Sequence, residues 1–291
     1  MKPMNIKTPL FHIMTAAAQK AGRALVRDFG EVEQLQASQK GPVDFTDKAT
    51  KKSEKLICNE LTKARPKYGL VIKNTGTKRG PDISNYWIID PLNGYFNFLH
   101  GIPHFCTAIA LERDRRIEAA VIYQPVADEL YFAERGQGAF LNDRRLRVSA
   151  RNTLADSIFA TSFPSIHQQA KKDNIQELAE IMARCSAIRS LGSTALDLAY
   201  VASGRYEGYW DKVKKKWEIA AGALIVKEAG GIVVDFNGTD KILEYGNIIA
   251  SNANLDQQFS TILKPFITKK LAKAVEPSSP LSYPSTESGF K

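Results

Sequence analysis

The hydrophobic pattern of this chain changes period part-way along, and that change restricts the fold more than any other feature. From Leu10 to Phe29 the residues Phe11, Met14, Ala18, Ala21 and Leu25 recur at helical spacing, and a second helical stretch runs from Asp47 to Ala64. Past Pro66 the apolar runs become short: Gly69–Ile72, Tyr86–Asp90, Phe105–Leu111, Ile117–Tyr123 and Glu129–Ala133. These predict the strands of a sheet with hairpin connections. The second half alternates, with strands expected at Ser157–Ser162, Ala187–Ser190, Tyr206–Trp210, Ile232–Phe236 and Asn247–Ala250. Helices are expected between and after them, at Gln168–Arg184, Ser193–Ala202, Trp217–Ala229 and Leu255–Leu263. Interleaving of this kind, without any internal repeat, predicts a layered α/β (α+β) sandwich.

The composition excludes several classes. With 44% hydrophobic and 24% charged residues the chain has the profile of a soluble globular protein. No run approaches the ~18 apolar residues of a spanning helix, and the N-terminal apolar stretch is followed by Lys20 and Arg23 rather than a cleavage site. A cytoplasmic location and no membrane partner are expected. Cys58, Cys106 and Cys185 are few and widely spaced, and read as reduced thiols. Residues 1–268 are expected to form one domain, and 269–291, rich in Pro and Ser, a disordered tail. The net charge of +9 favours anionic partners, either phosphorylated small molecules or nucleic acid.

Common catalytic signatures are missing: there is no GxxxxGK[ST] loop, no GxSxG elbow and no HExxH. Gly136-Gln-Gly138 reads as a glycine-rich turn. His100 and His104 are separated by Gly101 and Pro103, so no helix puts them on one face, and loop packing is the better account than a metal pair.

The informative segments are Trp87-Ile-Ile-Asp90-Pro-Leu92-Asn93-Gly94-Tyr95-Phe96-Asn97 and the distant Trp217-Glu218-Ile-Ala-Ala-Gly. They resemble the two signatures of the inositol monophosphatase family, in particular its bacterial SuhB-type branch. The likeness extends through Lys40-Gly-Pro-Val-Asp44-Phe, Gly136-Gln-Gly-Ala-Phe-Leu-Asn-Asp, Gly192-Ser-Thr194-Ala-Leu-Asp-Leu-Ala and Glu228-Ala-Gly-Gly, so it spans about Leu10 to Leu263. It implies a five-layered α/β/α/β/α sandwich of the sugar-phosphatase type and a homodimer. It also implies a Mg²⁺-dependent phosphatase acting on inositol phosphate or a related sugar phosphate. In that family a Glu-Glu pair, an Asp-Pro-(Ile/Leu)-Asp-Gly-Thr-Thr strand end and the Asp of a Trp-Asp converge on magnesium, a hard cation that needs several carboxylate oxygens.

The matching positions here are altered. Lys73 and Asn74 stand where the Glu-Glu pair would be, Asp90 is kept, and Asn93 replaces the second aspartate. Tyr95 and Phe96 replace the two threonines, Glu218 replaces the Trp-Asp aspartate, and Thr50 falls at a peripheral metal aspartate. Of six family acids only Asp90 and Glu218 remain, with the Leu92 carbonyl as a residual ligand. Each unit-charge interaction is worth ~4 kcal/mol at ~4 Å and an effective dielectric of ~20, so these losses predict weak or absent Mg²⁺ binding. Two readings of Lys73 stand: an ammonium in the place of the metal, paired with Asp90 and with Glu218 in reach, or an exposed strand-end lysine.

The substrate side looks better kept. By resemblance, Gly192, Thr194 and Asp211 match positions that contact inositol hydroxyls, while Lys40 and the Gly94 turn match positions near the phosphate. Tyr95 and Phe96 either fill the phosphate pocket or repack a freed cavity. The cluster Lys212-Val-Lys214-Lys215-Lys216 reads as a solvated loop or as an anion- or RNA-contacting patch. The expected function is therefore a catalytically impaired or inactive family member retained for binding or regulation. RNA polymerase or transcription antitermination factors are the partners that the SuhB-type resemblance implies. The alternative is a weakly active Mg²⁺-dependent hydrolase of inositol 1-phosphate or a related sugar phosphate.

Overall fold

The computed structural model describes residues 8–37, 41–163, 172–212 and 214–266. Lys40 and the expected C-terminal tail lie outside these residues. Two long helices open the fold, α1 (Pro9–Gln34) and α2 (Gly41–Ala64). The Thr8 hydroxyl accepts a bond from the Phe11 amide at 3.0 Å, with Pro9 in the first turn, as a helix start requires. Residues Met14, Ala17, Ala18, Ala21 and Leu25 make its buried stripe. The helix α2 begins six residues before the Asp47 start read from periodicity, because its first turn is a Gly-Pro opening with too few apolar residues to register.

The first sheet has eight strands. In spatial order they are β2 (Gly76–Lys78), β1 (Tyr68–Ile72), β3 (Asp82–Asn93), β4 (Cys106–Arg113), β5 (Arg116–Gln124), β6 (Glu129–Glu134), β7 (Gly138–Leu141) and β8 (Arg144–Arg145). Only β1 and β3 pair in parallel. A short helix α3 (Tyr95–Leu99) follows β3. The second sheet contains β9 (Ile158–Thr161), β10 (Ala187–Arg189), β11 (Gly208–Asp211), β12 (Ile232–Val234) and β13 (Ile248–Ser251), in the order β10-β9-β11-β13-β12. Around it lie α4 (Lys172–Met182), α5 (Thr194–Ala202), α6 (Lys216–Glu228), α7 (Ile242–Tyr245) and α8 (Asp256–Leu263).

Three apolar cores define the layers. One joins α1 and α2 to one face of the first sheet, through Met14, Ile57, Leu61, Trp87, Ile89 and Val121. A second fills the space between the sheets around α5 and α6, and α6 is buried without a break from Ile219 to Val226, as a helix sandwiched between sheets must be. The third packs the far face of the second sheet through Phe159, Trp210, Ile181 and Phe259. The order helix, sheet, helix, sheet, helix is the expected five-layered sandwich.

Candidate functional site

Strand register brings the central pair together. In the parallel β1–β3 ladder Ile72 lies opposite Ile89, and the Lys73 amide donates to the Ile89 carbonyl at 3.1 Å. Lys73, the first residue past β1, and Asp90 on β3 follow the two isoleucines, so both side chains leave on the face opposite them. Beyond Asp90 the β3–β4 register shifts: Asp90 pairs with Ala108 but Asn93 with Cys106. This bulge, at Pro91-Leu92, leaves the Leu92 carbonyl aimed at the same Lys73 ammonium as the Asp90 carboxylate.

The result is a fully satisfied buried carboxylate. The Lys73 ammonium donates to both Asp90 oxygens, at 3.0 and 3.2 Å, and to the Leu92 carbonyl at 2.9 Å. Asp90 also accepts from the Leu92 amide at 3.2 Å and from the Asn93 side-chain amide at 2.8 Å, and it is 0% exposed. The Asn93 oxygen accepts in turn from the Ser193 hydroxyl at 2.7 Å and the Ala195 amide at 3.2 Å, which ties the site to the start of α5. All three ammonium hydrogens of Lys73 are used, so the exposed strand-end reading is set aside.

Other positions depart from expectation. Lys73 makes no bond to Glu218. That carboxylate instead accepts the Lys215 amide at 2.8 Å in the first turn of α6, because an unsatisfied helix N-terminus competes for the nearest acid. Asn74 is an exposed turn residue with φ +67°, a left-handed conformation that asparagine tolerates better than glutamate. Thr50 is buried but spends its hydroxyl on the Thr46 carbonyl within α2. Tyr95 packs beside Leu92 and Phe98 and donates to Asp47 at 2.8 Å, and burial followed by that bond raises its phenol pKa. Phe96, by contrast, is 64% exposed and fills no pocket. Gly94 is required at its turn: φ is +88°, and a Cβ would stand 2.7 Å from the His104 carbonyl oxygen. His104 packs edge-on against Tyr200 as loop packing predicts, and burial lowers its pKa to about 4.

Thr194 and Asp211, which the resemblance assigns to the inositol hydroxyls, are already bonded within the chain. Asp211, at the end of β11, accepts the Tyr209 hydroxyl at 2.8 Å, the Lys212 amide at 2.7 Å and the Lys214 ammonium at 3.0 Å. With that proton spent on Asp211, the Thr194 hydroxyl donates to the Tyr209 oxygen at 3.1 Å, and Gly192, with φ +77°, sits over Asn97. Three of the four lysines of the basic cluster are held in ion pairs. Lys212 pairs with Glu177, Lys214 with Asp211, and Lys216 with Glu112 at 2.6 Å, leaving Lys215 as the exposed member of the four. Its lysines alternate between acids on three different elements, a destination that a run of like charges does not disclose.

Sequence reasoning missed Asp197. It lies in the first turn of α5, is 0% exposed, and neither oxygen has a hydrogen-bond partner. Burial first, and the neighbouring Asp211 second, push its pKa well above the carboxylate range. No group of three or more His, Cys, Asp or Glu side chains among the described residues is arranged to hold a metal ion. The donor set around Asp90 does not fit Mg²⁺ either, because an ammonium already occupies the space between its carboxylate and the Leu92 carbonyl.

Comparison with known proteins agrees with this architecture. Residues 7–276 match the model of the inositol monophosphatase family. An inositol-1-monophosphatase of Mesorhizobium japonicum is 49% identical over 246 residues, covering 84% of this chain and 92% of the relative. The Nus factor SuhB of Escherichia coli is 39% identical over 264 residues, covering 88% and 99%. The crystal structure of the extragenic suppressor protein suhB from Bartonella henselae superposes with a TM-score of 0.82 at 48% identity, covering 88% of this chain and 99% of that one. Sequence signatures, layer order and these relatives agree: the chain belongs to the inositol monophosphatase family.

Proposed function

We propose that this protein is an inositol monophosphatase-like protein of the SuhB type whose Mg²⁺-dependent phosphatase site is impaired or inactive. On this reading it is retained as a binding and regulatory protein that works with the transcription machinery. The observation that carries this reading is the Lys73 ammonium held 3.0 Å from Asp90 and 2.9 Å from the Leu92 carbonyl. A dication entering there would meet a fixed positive charge and too few carboxylates to displace it. The likeness to a relative named Nus factor SuhB supports RNA polymerase or antitermination factors as partners. A homodimer belongs to the same reading, supported by the exposed apolar side chains of Phe163, Met182 and Leu191 beside the edge strand β10. A cytoplasmic setting is supported by three free thiols, Cys58, Cys106 and Cys185.

A second reading, a weak phosphatase acting on inositol 1-phosphate or a sugar phosphate with one metal on Asp90 and Glu218, is favoured by the higher identity to relatives named inositol-1-monophosphatase. Turnover of inositol 1-phosphate at millimolar Mg²⁺, measured beside a calorimetric Mg²⁺ titration, separates the two. The first reading expects a flat assay and no binding heat from folded protein, and robust metal-dependent phosphate release overturns it. Joint reversion of Lys73→Glu, Asn74→Glu and Asn93→Asp is expected to restore metal binding, whereas Asn93→Asp alone is expected to fail because the ammonium stays in place.

A further inference from the structure

The half of the cleft away from Lys73 holds a second lysine that the sequence disguised as part of a surface run. Lys214 is largely buried, and its ammonium lies 3.0 Å from Asp211 and 3.3 Å from the Ser162 hydroxyl. Beside it stands the Tyr209 hydroxyl, which bridges Ser162, Thr194 and Asp211. The backbone is clamped. The Lys214 amide donates to the Gly246 carbonyl at 2.7 Å, and the Lys214 oxygen comes within 2.3 Å of where a Cβ on Gly246 would be, so only glycine allows this approach.

We propose that Lys214 is the tethered occupant of a primary-ammonium site formed by Asp211, Tyr209 and Ser162, filled by the chain itself. The buried Asp211 carboxylate at the end of β11 requires a positive group nearby, and Lys214 supplies it. Burial works against the lysine charge, yet Asp211, Glu218 and Asp197 outweigh it and raise its pKa above the ordinary lysine value. This occupancy takes up the Asp211 oxygen that would otherwise be free to receive a ligand hydroxyl. It is independent of whether Lys73 displaces a metal, since the two lysines contact different acids.

Chemical rescue tests the proposal in the full-length protein. Lys214→Ala removes the atoms from Cγ to Nζ, which n-propylammonium replaces in length and charge. The variant is expected to melt about 5 °C below the wild type, and n-propylammonium chloride is expected to restore most of the loss. Equal concentrations of n-propanol or sodium chloride are expected not to, and the wild type is expected not to respond. Unchanged melting of Lys214→Ala, or equal rescue by n-propanol, would overturn the proposal by reducing Lys214 to stem packing. If Lys214→Ala does not fold, Lys214→Met retains the stem without the charge. Its melting below wild type, with the deficit relieved by adding Asp211→Asn, supports the site, and wild-type melting of Lys214→Met refutes it.

Discussion

Replacing Lys73 by methionine is the most informative single perturbation of this fold. Methionine keeps much of the stem volume but deletes the ammonium. Asp90, 0% exposed, then loses two of its four hydrogen bonds and keeps those from the Leu92 amide at 3.2 Å and the Asn93 amide at 2.8 Å. Removing one member of a buried ion pair costs about 3–5 kcal/mol because the remaining charge is stranded. The Lys73 side chain is 21% exposed, so water reaches part of the vacated space, and the lower end, about 3 kcal/mol, is expected. That is roughly a hundredfold change in the unfolding equilibrium. Urea denaturation monitored by tryptophan fluorescence, with Trp87 on β3, reads it directly. The double variant Lys73→Met, Asp90→Asn should recover most of the loss, since neither charge then remains. A single variant within about 0.5 kcal/mol of wild type, or a double variant as damaged as the sum of its parts, would refute the reasoning.

Other perturbations have definite expectations. His104 has a pKa lowered from 6.5 to about 4 by burial, so the unfolded chain takes up its proton first. Stability should therefore fall as pH drops from about 6.5 to 4, by about 3 kcal/mol in total, and His104→Gln should flatten this limb of a melting-versus-pH profile. Asp197 has the opposite sign: its raised native pKa keeps the proton on the folded form, so its stability contribution is lost as pH rises above the unfolded carboxylate value near 4. The stability advantage of Asp197→Asn should accordingly grow with pH, as denaturation at a series of pH values would read. Gly94→Ala forces a side chain into a left-handed turn against the His104 carbonyl and should cost at least about 2 kcal/mol by denaturant titration.

The layer order was legible because helical and strand periods separate cleanly in this chain, and α6, apolar on all sides, marks the centre of the sandwich. The start of α2 was not, because Gly41 and Pro42 carry no apolar rhythm, and α3 was hidden in a stretch read for its chemistry. At the site, the Lys73–Asp90 pairing could be foreseen because a new cation and a retained acid coincide in the motif. The fate of Glu218 could not, since a helix N-terminus competes for it within three residues. Phe96 turned outward because the inward place on α3 belongs to Phe98, with Tyr95 half-buried against the same cluster. The Asp211–Lys214 spacing of three residues was the one signal of the buried pair, and the surrounding lysines masked it.

The central claim is that an ammonium stands beside Asp90 where this family would hold a metal. Anomalous diffraction from crystals soaked in manganese, a stronger scatterer that takes the same oxygen ligands as magnesium, addresses it at the atom concerned. The account predicts no anomalous peak within coordination distance of Asp90 and clear density joining Lys73 to its carboxylate. A well-occupied manganese ion bound to Asp90 and the Leu92 carbonyl, with Lys73 swung aside, would contradict it.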